Sequence, residues 1–198
     1  MLSEAQKTQY ERDGYLVLDG FKPIEEIRAV RARAEAIVEA FDPGDTVSIF
    51  TTREQERKSD EYFLTSGDKI RCFFETTPIS VTTFWFALED ADRSNGCLWV
   101  EPGGHRGPLR ERFLLEDGAT RMEKLDATPW PTDATAVPVE VKAGALVCFH
   151  GRLPHYSAPN RSPVSRHAYT LHVTDGRTAY SQRNWLRRGP DMPVRGFA

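Results

Sequence analysis

Apolar positions fall into two regimes along this chain, helical spacing at the front and short alternating runs behind. Ser3-x-x-Gln6 is a capping-box pattern and Gly14 a helix stop, so the spacing predicts a short helix over residues 4–13. Tyr15-Leu-Val-Leu18 reads as a strand closed by Asp19-Gly20. Pro23 suits a first helical turn, and Ile24, Ile27, Val30, Ala34, Ile37, Val38 and Phe41 recur at three and four, a second helix ended by Asp42-Pro-Gly44. Residues 45–68 are polar and weakly patterned and predict no element, while Lys69-Ile-Arg-Cys-Phe-Phe74 predicts a strand. From Ile79 onward the pattern becomes short β segments at 80–87, 97–100, 136–141, 144–150 and 167–173, with Asn95-Gly96 as a hairpin-type turn before the second. Residues 107–133 form a long, polar, proline-containing insertion, predicted to be a surface excursion. Two helices followed by a run of short strands predict a mainly β jelly roll with the helices packed on one sheet.

Composition narrows this picture only a little. A length of 198 residues predicts a single domain, 1–198, large enough for a real core. A net charge of −3, with the basic and acidic residues interspersed, gives no reason to expect nucleic acid or an anionic membrane as partner. The Arg183, Arg187, Arg188 cluster is expected to be solvated surface. Cys72, Cys97 and Cys148 are an odd number without C-x-x-C spacing, and each sits in an apolar run, so they are expected to be small buried hydrophobes. The polar opening Leu2-Ser-Glu-Ala-Gln6 does not resemble a signal peptide, and no apolar run approaches the ~20 residues of a bilayer span. The expected location is a reducing cytoplasm.

The candidate chemistry lies between His155 and Arg166. In a strand, alternate side chains share a face, so Arg166, Ala168, Thr170 and His172 are expected on one side of theirs, and His155 and Ser157 together on one side of another. An arginine in a mostly apolar interior offers a planar fork that matches a carboxylate. The imidazole of His155 could bind a metal while Ser157 donates to the carboxylate held by Arg166. The spacing is equally compatible with Arg166 pairing a surface acid and His155 capping a loop after Pro154. A non-haem Fe(II) site needs two histidines and a carboxylate, usually supplied in part by a His-x-Asp or His-x-Glu pair. The five histidines here are followed by Arg-Gly, Gly-Arg, Tyr-Ser, Ala-Tyr and Val-Thr, so no such pair exists.

The stretches Glu89-Asp-Ala, Ser94-Asn-Gly-Cys-Leu-Trp-Val-Glu-Pro-Gly-Gly-His105, Gly144-Ala-Leu-Val-Cys-Phe-His-Gly151 and Arg166-His-Ala-Tyr-Thr-Leu-His172 through Asn184-Trp-Leu186 resemble the phytanoyl-CoA dioxygenase family. Asp13-Gly-Tyr-Leu-Val-Leu-Asp-Gly-Phe21 and Phe63-Leu-Thr-Ser-Gly-Asp-Lys-Ile-Arg71 are similar to the same family, nearest to its phytanoyl-CoA dioxygenase domain-containing branch. The resemblance covers nearly the whole chain. It implies a double-stranded β-helix of the cupin-like kind and oxidation dependent on Fe(II) and 2-oxoglutarate. Residue by residue, it implies His155 as the distal iron ligand, Ser157 and Arg166 as holders of the distal carboxylate of 2-oxoglutarate, and Trp85 as an aromatic beside that co-substrate.

One departure is equally specific. In the family a His-x-Asp pair lies a few residues before the stretch matching Thr76-Thr-Pro78, whereas here Thr76 follows directly on Phe73-Phe-Glu75, which matches a much earlier position. The resemblance thus implies that an internal segment is lacking at the 75/76 junction, with two of three iron ligands and at least one core strand. Three readings stay open: a segment absent from this sequence alone, a shortened and inactive product, or a rewired metal site. His105 and His150 are the candidates for rewiring, with Glu101 or Asp90 as carboxylate. The function expected is an Fe(II)- and 2-oxoglutarate-dependent dioxygenase hydroxylating a small organic substrate, an acyl-CoA among the candidates. The alternative is a catalytically inactive jelly-roll binding module with a residual carboxylate pocket.

Overall fold

A computed structural model describes residues 1–40, 76–117, 119–184 and Gly196. Helix α1 spans Glu4–Asp13, as the capping box requires: the Ser3 side chain accepts from the Gln6 amide, and the Gln6 side chain accepts from the Ser3 amide. Gly14 ends it in the left-handed region, at φ 79°, and a Cβ there would lie 2.4 Å from Nδ1 of His105. Strand β1 (Tyr15–Leu18) follows at once, then helix α2 (Ile24–Glu39). Ile27 is the buried anchor of α2, whereas Ile24, Val30 and Ile37 are exposed among the described residues. The strand expected over 69–74 lies outside the described residues, as do Cys72 and the 75/76 junction.

Among the described residues the remaining elements are strands, apart from one 3-10 turn at Gly104–Arg106. They are β2 (Thr76–Thr77), β3 (Thr82–Ala87), β4 (Leu98–Val100), β5 (Glu111–Glu116), β6 (Ala119–Lys124), β7 (Val137–Val139), β8 (Leu146–His150), β9 (His155–Ser157), β10 (Ala168–Val173) and β11 (Ala179–Tyr180). A four-stranded antiparallel sheet has the order β1-β8-β3-β10, and a three-stranded sheet the order β7-β4-β9. Two short pairs, β5-β6 and β11-β2, complete the architecture. Trp85, Ala87, Val147 and Phe149 of the larger sheet share one core with Leu98, Val100 and Val139 of the smaller. This is the two-sheet jelly roll expected from the pattern, with neighbouring strands distant in sequence.

Strand β8 shows why the pattern worked. Leu146, Val147, Cys148 and Phe149 are all buried, because Val147 and Phe149 face the inter-sheet core while Cys148 lies opposite the buried Leu16 of β1 on the other face. Cys97 and Cys148 are free and buried, as their apolar context suggested.

Two expectations need correction. Asn95-Gly96 does not make a hairpin, because β3 and β4 belong to different sheets. The Asn95 side chain is buried and ties the loop instead, accepting from the Asp92 amide at 2.8 Å and donating to the Asp90 carbonyl at 2.8 Å. Nor is 107–133 merely a surface excursion. It holds the β5-β6 hairpin, in which Phe113 and Leu114 are buried, and Asp117 takes a positive φ at its tip.

Candidate co-substrate and metal site

His155 and Ser157 are positioned by β9, which pairs with β4 so that His155 lies opposite Val100 and Ser157 opposite Leu98. Val100 and Leu98 are core residues, so both site side chains lie on the cavity side of the strand, as alternation required. Tyr156 between them turns outward and stacks on Trp99 with ring centroids 5.9 Å apart. The His155 ring is buried, 4.5 Å from the Phe149 ring, and its Nδ1 lies 2.7 Å from the Leu153 carbonyl. A carbonyl only accepts, so Nδ1 carries the proton and Nε2 keeps its lone pair. Burial pushes the pKa of His155 down to about 4, with a further decrease from His172 and an opposing rise from the Leu153 bond. At neutral pH it is an uncharged imidazole with a basic Nε2, the form a metal requires.

Arg166 stands two residues before Ala168, which pairs with Ala87. Its guanidinium is half-buried and lies over the Trp85 ring at 5.8 Å. Burial lowers its pKa and the Cys97 thiol opposes this, yet arginine stays a cation in any such setting. Among the described residues no carboxylate pairs with it. Trp85 is buried on the core face of β3, between Thr170 and Val147. The structure thus brings Arg166 and Trp85 together, while Ser157 lies on the smaller sheet, opposite Leu98. His155 stands instead against Phe149. His172, an exposed residue of β10, lies opposite Thr83, which lies opposite Phe149.

Of the candidates for a rewired metal site, His105 and His150 meet, but no third donor joins them among the described residues. His150 shares the outer face of β8 with Leu146 and Cys148, and its ring meets that of His105 at 5.2 Å. Glu101 is engaged by Arg110 at 2.9 Å, and Asp90 by Lys142 and the Ala143 amide. No group of three His, Cys, Asp or Glu side chains able to hold a metal ion gathers among the described residues. His155 alone does not make a facial-triad iron site, so this donor set does not fit Fe(II).

Two further features had no signal in local sequence. A small half-open pocket, about 30 Å³ in volume, borders His155 and is walled by Arg110, Trp130, Arg152, Leu109 and Pro108. Arg110 is buried, bonded to Glu101, and lies 5.4 Å over Trp130. The second feature is Glu89, whose carboxylate accepts from Ser165 and His167, partners more than seventy residues away.

The two-sheet roll is matched by known proteins. Residues 60–168 fit the family model described as Phytanoyl-CoA dioxygenase (PhyH). The chain belongs to the phytanoyl-CoA dioxygenase family. A Dictyostelium discoideum protein named phytanoyl-CoA dioxygenase domain-containing protein 1 homolog is 31% identical, over 98% of this chain and 99% of its own. Phytanoyl-CoA dioxygenase 1 of Oryza sativa subsp. japonica is 30% identical, over 98% and 97%. The Dictyostelium alignment runs over 278 positions against the 198 residues of this chain, so that relative carries internal residues with no counterpart here.

Among solved structures, the epimerase SnoN in complex with Fe3+, alpha ketoglutarate and nogalamycin RO superposes with a TM-score of 0.68 at 18% identity, covering 98% of this chain and 93% of its own. The alpha ketoglutarate dependent carbocyclase SnoK gives 0.61 at 20% identity, covering 99% and 94%. These likenesses show the fold, a double-stranded β-helix used by iron and 2-oxoglutarate enzymes. The family is one of dioxygenase-type oxidoreductases.

Proposed function

We propose that this protein serves the oxidation of a small organic molecule as an Fe(II)- and 2-oxoglutarate-dependent dioxygenase, and that its described residues do the co-substrate half of that work. The observation that carries the reading is the half-buried guanidinium of Arg166 over Trp85, with no carboxylate partner among the described residues. Such a cation is poised for an anion brought from outside. The fork of Arg166 takes both oxygens of the distal carboxylate of 2-oxoglutarate, and the Ser157 hydroxyl donates to one of them. The Trp85 face closes the side of the slot and keeps water from the pair. His155 holds its proton on Nδ1 and leaves Nε2 free. The described residues bring no second or third metal donor to it, so the oxidising half of this reading is supported by the family alone.

The small-molecule substrate is assigned to the pocket bordered by His155. We assign the chain one domain, 1–198, with the shortfall against its relatives at the 75/76 junction, a placement supported by the family-like sequence on both flanks. A reducing compartment such as the cytoplasm is supported by the free thiols of Cys97 and Cys148.

A second reading is favoured by the metal inventory: a jelly-roll binding module that holds a dicarboxylate and does no redox work. All five histidines lie among the described residues, and none follows the His-x-Asp pattern. Anaerobic titration with 2-oxoglutarate, without and then with Fe(II), separates the two. A visible charge-transfer band and succinate release on admitting air establish the dioxygenase. Dicarboxylate binding that depends on Arg166 and ignores metal establishes the module. Absence of dicarboxylate binding in both arms sinks both.

A further inference from the structure

Arg166 is held from behind. Strand β3 ends at Ala87, and the Leu88 amide still donates to the His167 carbonyl at 3.1 Å before the chain turns away toward β4. From there the ladder is continued by a side chain. The Glu89 carboxylate accepts from the His167 amide at 2.8 Å, from the His167 ring at 2.9 Å and from the Ser165 hydroxyl at 2.9 Å. Both chain neighbours of Arg166 are thus bonded to one carboxylate. Arg31 of α2 pairs with the same group, and the Glu89 side chain is only 12% exposed. Burial by itself would raise its pKa, but the His167 and Ser165 donors and Arg31 outweigh this and hold it below the usual carboxylate value. Asn95 adds a weaker bond to the Ser165 carbonyl from the other side.

A carboxylate so committed has no spare oxygen for a ligand, which makes its task structural rather than chemical. A long arginine reaching across a cavity depends on where its Cα is fixed and which way its Cα–Cβ bond points. Fixing the peptides on both sides settles both.

We propose that Glu89 is the positioning residue for Arg166, a largely covered carboxylate that grips Ser165 and His167 and so aims the guanidinium over Trp85 to receive the distal carboxylate of a 2-oxoacid. The inference rests on the carboxylate-pocket reading above. It extends that reading to a residue that meets neither co-substrate nor metal. Supporting partners of this kind usually change affinity by about 10- to 100-fold when removed.

The test uses the full chain in four forms: wild type, Glu89→Ala, Ser165→Ala and Arg31→Ala. Metal-free 2-oxoglutarate affinity is read by calorimetry, melting temperature on the same samples, and the Arg166 Nε–Hε resonance by NMR, assigned through Arg166→Ala. The expected result is a Kd raised about 10-fold or more in Glu89→Ala. Ser165→Ala, which keeps the His167 bonds, should give a smaller rise, and Arg31→Ala almost none. The Arg166 resonance should move toward the unstructured position in the same order. If Glu89→Ala melts too early to titrate, Ser165→Ala carries the affinity arm alone. Unchanged affinity and an unmoved Arg166 resonance in Glu89→Ala, or in Ser165→Ala where that variant stands in, overturn the inference while the pocket stands. If wild type and Arg166→Ala take up 2-oxoglutarate equally, the pocket reading fails, and the Arg166 resonance alone decides whether Glu89 positions it.

Discussion

In one region Arg166 lies over Trp85, with its chain neighbours Ser165 and His167 bonded to Glu89; in another, His155 stands against Phe149 with Leu153 as its hydrogen-bond partner. The first has a cation, a covering ring and a tethered backbone. The second has one well-prepared nitrogen and no second or third metal donor among the described residues. The two regions differ in what they assemble rather than in origin, since His155 comes from the same stretch between 85 and 166 as Arg166, Trp85, Ser157 and Glu89. A facial triad needs two donors besides His155, and the alignment with the Dictyostelium relative spans 278 positions against the 198 residues of this chain. On the proposed reading, carboxylate capture and metal binding rest on separate residues.

The largest expected effect tests the better-built end. Arg166→Ala removes the charged partner of a shielded pair and should weaken 2-oxoglutarate binding by about 2–5 kcal/mol, measured calorimetrically without metal. Loss of less than about threefold would show that the pocket is not where the dicarboxylate sits.

The next concerns the His155 end and acid. The folded His155 has a pKa of about 4 against 6.5 for an ordinary histidine. Below 6.5 the unfolded chain takes up a proton that the folded one refuses, so stability falls as pH drops from 6.5 toward 4 and is fully restored above 6.5. The contribution lost by pH 4 is about 3 kcal/mol. Urea denaturation of wild type and His155→Ala across this window checks it, since the variant should lose that part of the slope. Equal slopes would mean that His155 is wetter than its surroundings indicate.

At neutral pH, His155→Ala should itself destabilise by about 2 kcal/mol, because the Leu153 carbonyl loses its donor inside the core. It should cost metal-free 2-oxoglutarate affinity less than the Arg166 change does. A comparable cost would merge the two ends and break the contrast drawn between them. Smallest is Ser157→Ala, at about 1 kcal/mol of dicarboxylate affinity for one lost hydroxyl donor; no change there would confine the recognition to Arg166 and Trp85.

Much of the fold was legible because its signals are local. The bounds of α1 follow from Ser3, Gln6 and Gly14, and β1 and β8 from short apolar runs between turn residues. The common face of His155 and Ser157, and that of Ala168, Thr170 and His172, followed from the two-residue period of a strand, whereas Arg166 precedes β10 and is not part of it. The β5-β6 hairpin was obscured because its polar composition outweighs the turn signal of Asp117-Gly118, although Phe113 and Leu114 alone suffice to seat it. Asn95-Gly96 misled in the opposite direction. The dipeptide does favour a turn, but whether the flanking strands pair is settled by the sheet each joins.

By itself the sequence determined the helix ends, the facing of each strand, the family, and the absence of any His-x-Asp pair, since these depend on residue identity and on spacings of a few positions. Only the tertiary structure decided that Arg166 lies over Trp85, that His155 keeps Nε2 free of its proton, that His105 and His150 meet away from His155, and that Glu89 reaches Ser165 and His167. Each of these joins groups brought together by sheet register, some across more than seventy residues of chain, and no local pattern carries the information of which strand lies beside which.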